Sequence, residues 1–398
     1  MKNYIYSLMT DRAQGPGAAV MKFCLWICSL IYGVIVAVTR SLYAIGILPA
    51  YRSPKPVISV GNLTVGGSGK TPLVIWLASM LKERRIKPAI LIRGYMRAGG
   101  SPNGDPARGS DEAQMLTEIL PDVPLMVSRN RGASIKTCLA SHAVDLFVCD
   151  DGFQHWPLQR DLDIVAIDAS NPFGNGHLVP RGILREPLSA LRRAHIFVLT
   201  KTDQIVRAGG CPNEAPDRPQ QQGVDGDDKL PHGGMGAVRT DGVVGQTGPA
   251  LGLCTQLKSI NPHALIVESR HVLKECREIY QQEHCPVSVL KGNSVVGFCA
   301  IGQPSSFQKL LEQAGMKVVR MFDFLDHHVY TSQDMAMIRG FCQEQGIRTL
   351  VTTHKDAVKI QDFKEFWQGY RVLNVQMAME ITQGKDEFIQ RIVSISRH

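Results

Sequence analysis

The segment Thr64-Val65-Gly66-Gly67-Ser68-Gly69-Lys70-Thr71-Pro72 carries the residue types that cradle a nucleotide's phosphates. Its three glycines let the backbone take positive φ and wrap an anion closely, with N–H groups turned inward. Lys70 supplies a point charge for the β- and γ-phosphates, and the Thr71 hydroxyl can ligate magnesium. A helix beginning here would add the partial positive charge of its N-terminus. The usual G-x-x-x-x-G-K-T pattern has glycine where this chain has Thr64, a variation that leaves the lysine and hydroxyl in place. ATP and Mg2+ are the ligands such a loop implies.

Phosphoryl chemistry also needs acids. In "VCDDGFQH" (148–155) an apolar run ends in two adjacent carboxylates, Asp150 and Asp151. Burying both unpaired would be costly, so they belong at the exposed tip of a strand. Beside a phosphate loop they read as magnesium-side acids; alone they would be a polar turn. Asp111 and Glu112 open a helical pattern after the Gly-rich "GGSPNGDPARGS". Acids are favoured at helix starts by the dipole alone, so the local pattern leaves both a catalytic and a structural reading open. In "FDFLDHHVYT" (322–331) Asp326 lies against His327 and His328, and a carboxylate beside histidine can orient a proton acceptor.

These residues need a scaffold, and the pattern supplies one. "PVISVG", "PAILI", "PLMVS", "VDLFVC", "LDIVAIDA" and "HIFVLT" are short apolar strands alternating with helical stretches. One such helix has Leu73, Trp76, Leu77, Met80 and Leu81 on one face. Alternation of this kind predicts an α/β fold with a parallel sheet of the P-loop NTPase type. Residues 51–203 are expected to form that domain, and 258–398 a second, smaller α/β domain of similar style. Between them, 204–257 is rich in Gly, Pro, Gln and Asp without a period, and is expected to be a disordered insertion.

The chain has 398 residues, 44% hydrophobic and 20% charged, which excludes wholesale disorder. Its net charge of +8 suits phosphates or an anionic membrane surface. Ten cysteines without C-x-x-C or regular spacing favour reduced thiols over a disulfide framework. Residues 1–50 form a membrane-associated segment: Phe23 to Thr39 is free of charge, between Lys22 and Arg40. No small-residue cleavage site follows, against a signal peptide. A spanning helix, a helix lying in the interface and a plain buried helix stay open.

Together, "SVGNLTVGGSGKTP", "RGYMR", "SDEAQML", "VCDDGFQHWPLQRDLDI", "GHLVPRGILREPLSAL", "TKTD", "FLDHHVYT" and "THKDAVKI" resemble, in this order, the tetraacyldisaccharide 4'-kinases of lipid A biosynthesis. The resemblance covers about 20–203 and 258–395, with the insertion outside it. It implies transfer of the γ-phosphate of ATP to the 4'-hydroxyl of an acylated glucosamine disaccharide 1-phosphate. It also implies work at the cytoplasmic face of an inner membrane, with no nucleic acid as partner. By motif position, Asp111 matches the catalytic base and His327 its partner. Lys70 and Asp151 join them in the reaction, while Thr71, Glu112 and Asp150 surround magnesium. Asn62, Arg93, His155 and Arg185 match contacts to the substrate's sugar or phosphate. Met96 and Ala113 stand where the family often has glycine and proline. "TKTD" is similar to the N-K-x-D element of GTPases, but its placement does not argue for guanine.

Two rival classes remain. A soluble P-loop small-molecule kinase or ligase would not need the charge-free run at 23–39. A partition-type ATPase switch would lack a dedicated acceptor base.

Overall fold

The structure, a computed structural model, describes residues 2–94, 111–204, 249–281, 283–325 and 328–396. The chain begins with α1 (Lys2–Met9) and the 29-residue α2 (Pro16–Ala44). It continues with β1 (Val57–Gly61), α3 (Lys70–Glu83), β2 (Pro88–Ile92), α4 (Asp111–Ile119), β3 (Leu125–Val127), α5 (Arg131–Ser141), β4 (Leu146–Asp150), β5 (Leu162–Asp168) and β6 (Ile196–Thr200). The remainder is α6 (Pro249–Ile260), β7 (Leu265–Glu278), β8 (His284–Cys285), β9 (Ser294–Cys299), α7 (Pro304–Gln313), β10 (Lys317–Asp323), α8 (Ser332–Glu344), β11 (Thr349–Thr353), α9 (His354–Ala357), β12 (Arg371–Gln383) and α10 (Lys385–Ser396).

Among the described residues all twelve strands belong to one sheet, in the order β3-β2-β4-β1-β5-β6-β7-β12-β11-β9-β10, with β8 paired to β7. β1, β2, β4, β5 and β6 are buried along their whole length, as strands with helices on both faces must be. On one face Leu73, Leu77 and Leu81 of α3 meet Leu116 of α4 and Phe388 and Ile392 of α10. On the other, Phe153, Leu191 and Phe197 meet Leu253 and Leu257 of α6. Further along the sheet, Phe298, Met335, Ile338 and Trp367 form another core, with Phe307, Leu311 and Val351 on the opposite face.

Three features depart from the expectations. The sheet is parallel except where β7 pairs antiparallel with β12 and β8. β12, which the apolar pattern did not announce, ties the second α/β segment to the first through β7; the chain then returns, and Phe388 of α10 stacks on Trp76 of α3 at 5.3 Å. Second, Cys276 and Cys285 form a disulfide, against the expectation of reduced thiols throughout. β7–β8 pairing sets them opposite one another with Cα atoms 5.3 Å apart, inside the range a disulfide needs. Third, the expected insertion is ordered from Pro249, where α6 begins and buries Leu253 and Leu257. Residues 205–248 lie outside the described residues.

Candidate active site

β1 and α3 hold the phosphate loop between them. Gly69, the residue before α3, has φ 81°, in the left-handed region that glycine alone adopts without strain. A Cβ there would also lie 2.9 Å from His271 Nε2. Asn62 is fully buried, and its side-chain amide donates to Thr64 O at 2.6 Å. Sequence places Asn62 at the substrate; in the structure its Nδ2 shapes the loop's entry, while its Oδ1 has no hydrogen-bond partner among the described residues. Val65 N donates to Ile183 O and Arg185 N to Leu63 O, so the 183–185 strap runs beside the loop. From behind, the Thr200 hydroxyl donates to Ser68 O and the Lys201 ammonium to Gly67 O. The loop faces solvent at Val65, whereas Thr64 and Ser68 are buried, and Ser68 Oγ has no hydrogen-bond partner.

The two acids after β4 differ in their surroundings. Asp151 has φ 49°, unusual for a residue with a side chain, and this bend turns its carboxylate toward the loop. Both its oxygens accept from Arg185 Nη1, at 2.8 and 2.9 Å, and Lys70 Nζ lies 3.5 Å away. Burial alone would push Asp151 up; Lys70 and Arg185 outweigh it and hold the carboxyl below the usual range. Asp150 is buried. Desolvation, then the charge of Glu112, pushes it up to about 7 against the pull of Lys70. Glu112, the second residue of α4, is therefore near enough for its charge to be felt at Asp150.

Arg131, which sequence reasoning missed, locks this bend. The first residue of α5 and almost wholly buried, it donates from Nη2 to Asp150 O and from Nη1 to Asp151 O. A signal existed: a cation at a helix N-terminus opposes the dipole, so an arginine there needs a reason. Gln154 donates to Asn62 O, and a Cβ on Gly61 would lie 2.4 Å from that of Phe153, so the DDGFQH turn packs directly on the loop's entry. Arg193, also missed, binds Glu186 at 2.6 Å and lies 3.7 Å from the Phe153 ring centroid, backing the same turn. His155 is depressed to about 4 by burial and by the charges of Arg131, Arg160 and Arg93, so it is neutral at pH 7.

The structure thus brings Lys70 and Arg185 onto Asp151 beside Asp150, with the charge of Glu112 felt at Asp150 and those of Arg131 and Arg93 at His155; Thr71 follows Lys70 on the first turn of α3. α4 begins at Asp111, as the helix-start reading expected, while His327 lies outside the described residues. Ala113 is buried in the core against α3, which accounts for a small residue there. Lys201 of "TKTD" is buried, paired with Asp168 at 2.6 Å and bonded to Gln303, so it braces the loop. Among the described residues no group of three or more His, Cys, Asp or Glu side chains is arranged to hold a metal by itself.

A phosphate loop on a parallel sheet, with its lysine facing strand-end acids, defines an ATP-using phosphotransferase of the P-loop class. The chain belongs to one family of that class: the model for tetraacyldisaccharide-1-P 4'-kinases matches residues 21–227 and 230–394. The matched ranges run through residues 204–227 and 230–257 of the expected insertion. Tetraacyldisaccharide 4'-kinases from Halothermothrix orenii and Anaeromyxobacter dehalogenans (strain 2CP-C) are 32% and 34% identical. They cover 92% and 94% of this chain, and the matches span 90% of each relative. The crystal structure of "apo" form LpxK from Aquifex aeolicus in complex with ATP superposes with a TM-score of 0.65 at 26% identity, covering 94% of this chain and 99% of that one.

Proposed function

We propose that this chain transfers the γ-phosphate of ATP to the 4'-hydroxyl of a tetraacyldisaccharide 1-phosphate, the lipid A precursor. Convergence of Lys70 and Arg185 on Asp151 beside the phosphate loop, in a chain of this family, carries the reading. The loop's N–H groups and Lys70 hold the β- and γ-phosphates and neutralise charge that builds during transfer. Asp111, on the first turn of α4, takes the proton of the acceptor hydroxyl, with His327 as its partner. Arg93, His155 and Arg185 contact the sugar or phosphate of the lipid.

Magnesium fits the donors present. The Thr71 hydroxyl, Glu112 and Asp150 are hard oxygen ligands, and Asp150, pushed up to about 7 by burial and by the charge of Glu112, would be held ionised by a neighbouring cation. These side chains would hold the ion, which would supply positive charge to offset that of the phosphates. Few protein ligands suffice, because phosphate and water oxygens complete a magnesium shell.

The test is transfer of labelled γ-phosphate from ATP to the acylated disaccharide in detergent with magnesium. Labelled lipid is expected, and Asp111→Asn should lower the rate by about 10²–10⁴ with ATP binding retained. ATP hydrolysis without labelled lipid would refute the assignment and favour a nucleotide switch.

The substrate is a lipid, so the enzyme must reach a membrane, and the reading places it at the cytoplasmic face of the inner membrane. α2 is long and apolar enough to cross a bilayer by length and composition. Its middle argues for lying in the interface instead. Ser29 Oγ donates to Leu178 O, and the Tyr32 hydroxyl donates to Arg185 O at 2.9 Å. In a spanning helix those residues would sit at the bilayer centre and drag a polar, arginine-bearing strap into hydrocarbon. Phe23, Leu30, Ile31, Val34, Ile35 and Val38 are exposed, an apolar face for the interface. Replacing Leu30, Val34 and Ile35 with serine should lower partition into vesicles about tenfold or more in a flotation assay, while detergent activity stays near normal. Undiminished flotation would remove α2 as the anchor.

A further inference from the structure

α4 carries Asp111 and Glu112, so its placement sets the acids, and what holds α4 bears on the reaction. Its apolar side is seated by Ala113 and Leu116 in the core beneath α3. Its polar side faces the second α/β segment across a cleft of about 480 Å³, lined by Trp76, Ser79, Lys274 and Gln376 among others. One side chain reaches over: His354 Nε2 lies 3.0 Å from Glu118 Oε2. Glu118 is two turns along α4 from Asp111, about 10 Å along the axis.

His354 is presented from a rigid base. Thr353, buried, caps α9 by accepting from Asp356 N and donates to Asp356 Oδ2 at 2.7 Å. That fully buried carboxylate also accepts from Ala300 N at 3.0 Å and pairs with Lys359 at 3.1 Å. The ring of His354, the residue between, is largely buried at 14% exposure, while Glu118 keeps 42%. The "THKDAVKI" segment thus builds a satisfied polar platform and projects one imidazole to α4, a cost in buried polar groups that packing alone does not need.

We propose that His354 and Glu118 are a positioning pair that fixes α4, and with it Asp111 and Glu112, against the phosphate loop. The proposal rests on the assignment of those acids to the reaction. Its action is on geometry: an ångström of error in the acceptor base costs rate, not nucleotide affinity.

The full-length protein in detergent, with ATP, magnesium and the acylated disaccharide, provides the test. His354→Ala and Glu118→Ala are each expected to lower kcat about tenfold with KM for ATP within about twofold. The double variant should fall no further than either single, and the exchanged pair, Glu118→His with His354→Glu, should recover most of the rate. Should His354→Ala fold poorly, His354→Gln with Glu118→Gln gives the same cycle with hydrogen-bonding side chains kept. Singles within twofold of normal, additive losses, or a parallel rise in KM for ATP would each overturn the pair's role. Asp111→Asn, assayed alongside, separates the failures. An inactive Asp111→Asn with indifferent His354 variants sinks the pair alone, and an active Asp111→Asn sinks the base assignment with it.

Discussion

Replacing Lys70 with alanine is expected to lower kcat for phosphoryl transfer by on the order of 10³ or more, with a smaller loss in ATP affinity. Lys70 is the cation at the mouth of α3, 3.5 Å from Asp151 Oδ1 and only 15% exposed, so its charge acts in a poorly screened setting. Its partner in charge balance is the acid cluster. It holds Asp151 down and opposes the rise of Asp150, so its removal protonates Asp150 more readily. Asp151 keeps Arg185, so the bend after β4 should persist and the thermal midpoint should shift by a few degrees at most. Lys70→Arg should not restore the rate, because a planar fork cannot occupy a point-charge position inside a tight loop. Single-turnover transfer of labelled phosphate, beside ATP titration by calorimetry, reads both effects. A kcat within tenfold of normal would mean that Lys70 is not the γ-phosphate's cation.

How far the fold could be read depended on where water sits. β1, β4, β5 and β6 are buried on both faces, so their sequences are mostly apolar, broken only by residues such as Ser59 and Asp163, and announce themselves. β12 and the second half of β7 are half-exposed: Arg270, Lys274, Glu275 and Glu380 break the apolar pattern, and Arg270 pairs with Glu380 in solvent. The pairing of those two long strands, which makes one sheet out of two α/β segments, is a long-range event with no local trace. The Cys276–Cys285 bridge shares that fate. Once β8 folds back on β7 the register brings the sulfurs together, but eight intervening residues without turn signals do not say so.

The site divides in the same way. Glycines, lysine and hydroxyl at fixed spacing have a local mechanism, so the loop was legible from Thr64 to Thr71. What Asp150 and Asp151 each do was not, because it depends on partners 20 to 80 residues away. Arg185 and Lys70 keep Asp151 ionised, while Glu112 and burial make Asp150 the proton-retaining member. Arg131 and Arg193 hold backbone carbonyls of the DDGF turn, contacts that no residue pattern encodes. Asn62 shows the converse: a motif position marks a residue as needed without saying whether it touches the ligand or the loop.

Asp150→Asn is expected to remove a stability loss that Asp150 imposes on the protein in chelator as pH rises from about 4 to about 7. Asp150 in the fold has its pKa raised to about 7, against an ordinary carboxyl near 3.8. Between those values the folded state holds a proton that the unfolded chain has released, so the fold is favoured at low pH and penalised as pH climbs. About three units correspond to on the order of 4 kcal/mol as an upper limit, since water can relax around the carboxyl. His155 and His271, both depressed to about 4, act in the opposite sense: their contribution grows as pH rises toward 6.5, and together they mask the Asp150 trend in the normal protein. Subtracting the Asp150→Asn profile from the normal one isolates the carboxyl, because both retain His155 and His271. Urea midpoints in chelator at pH 5, 6, 7 and 8 give the two curves, and the difference should widen from pH 5 to 7 and then level. Magnesium with ATP should then stabilise the normal protein more at pH 8 than at pH 5, as the cation meets an ionised Asp150, and stabilise Asp150→Asn less. Parallel profiles in chelator would mean that Asp150 is ionised throughout, and the raised pKa as the mark of a waiting metal ligand would fall with it.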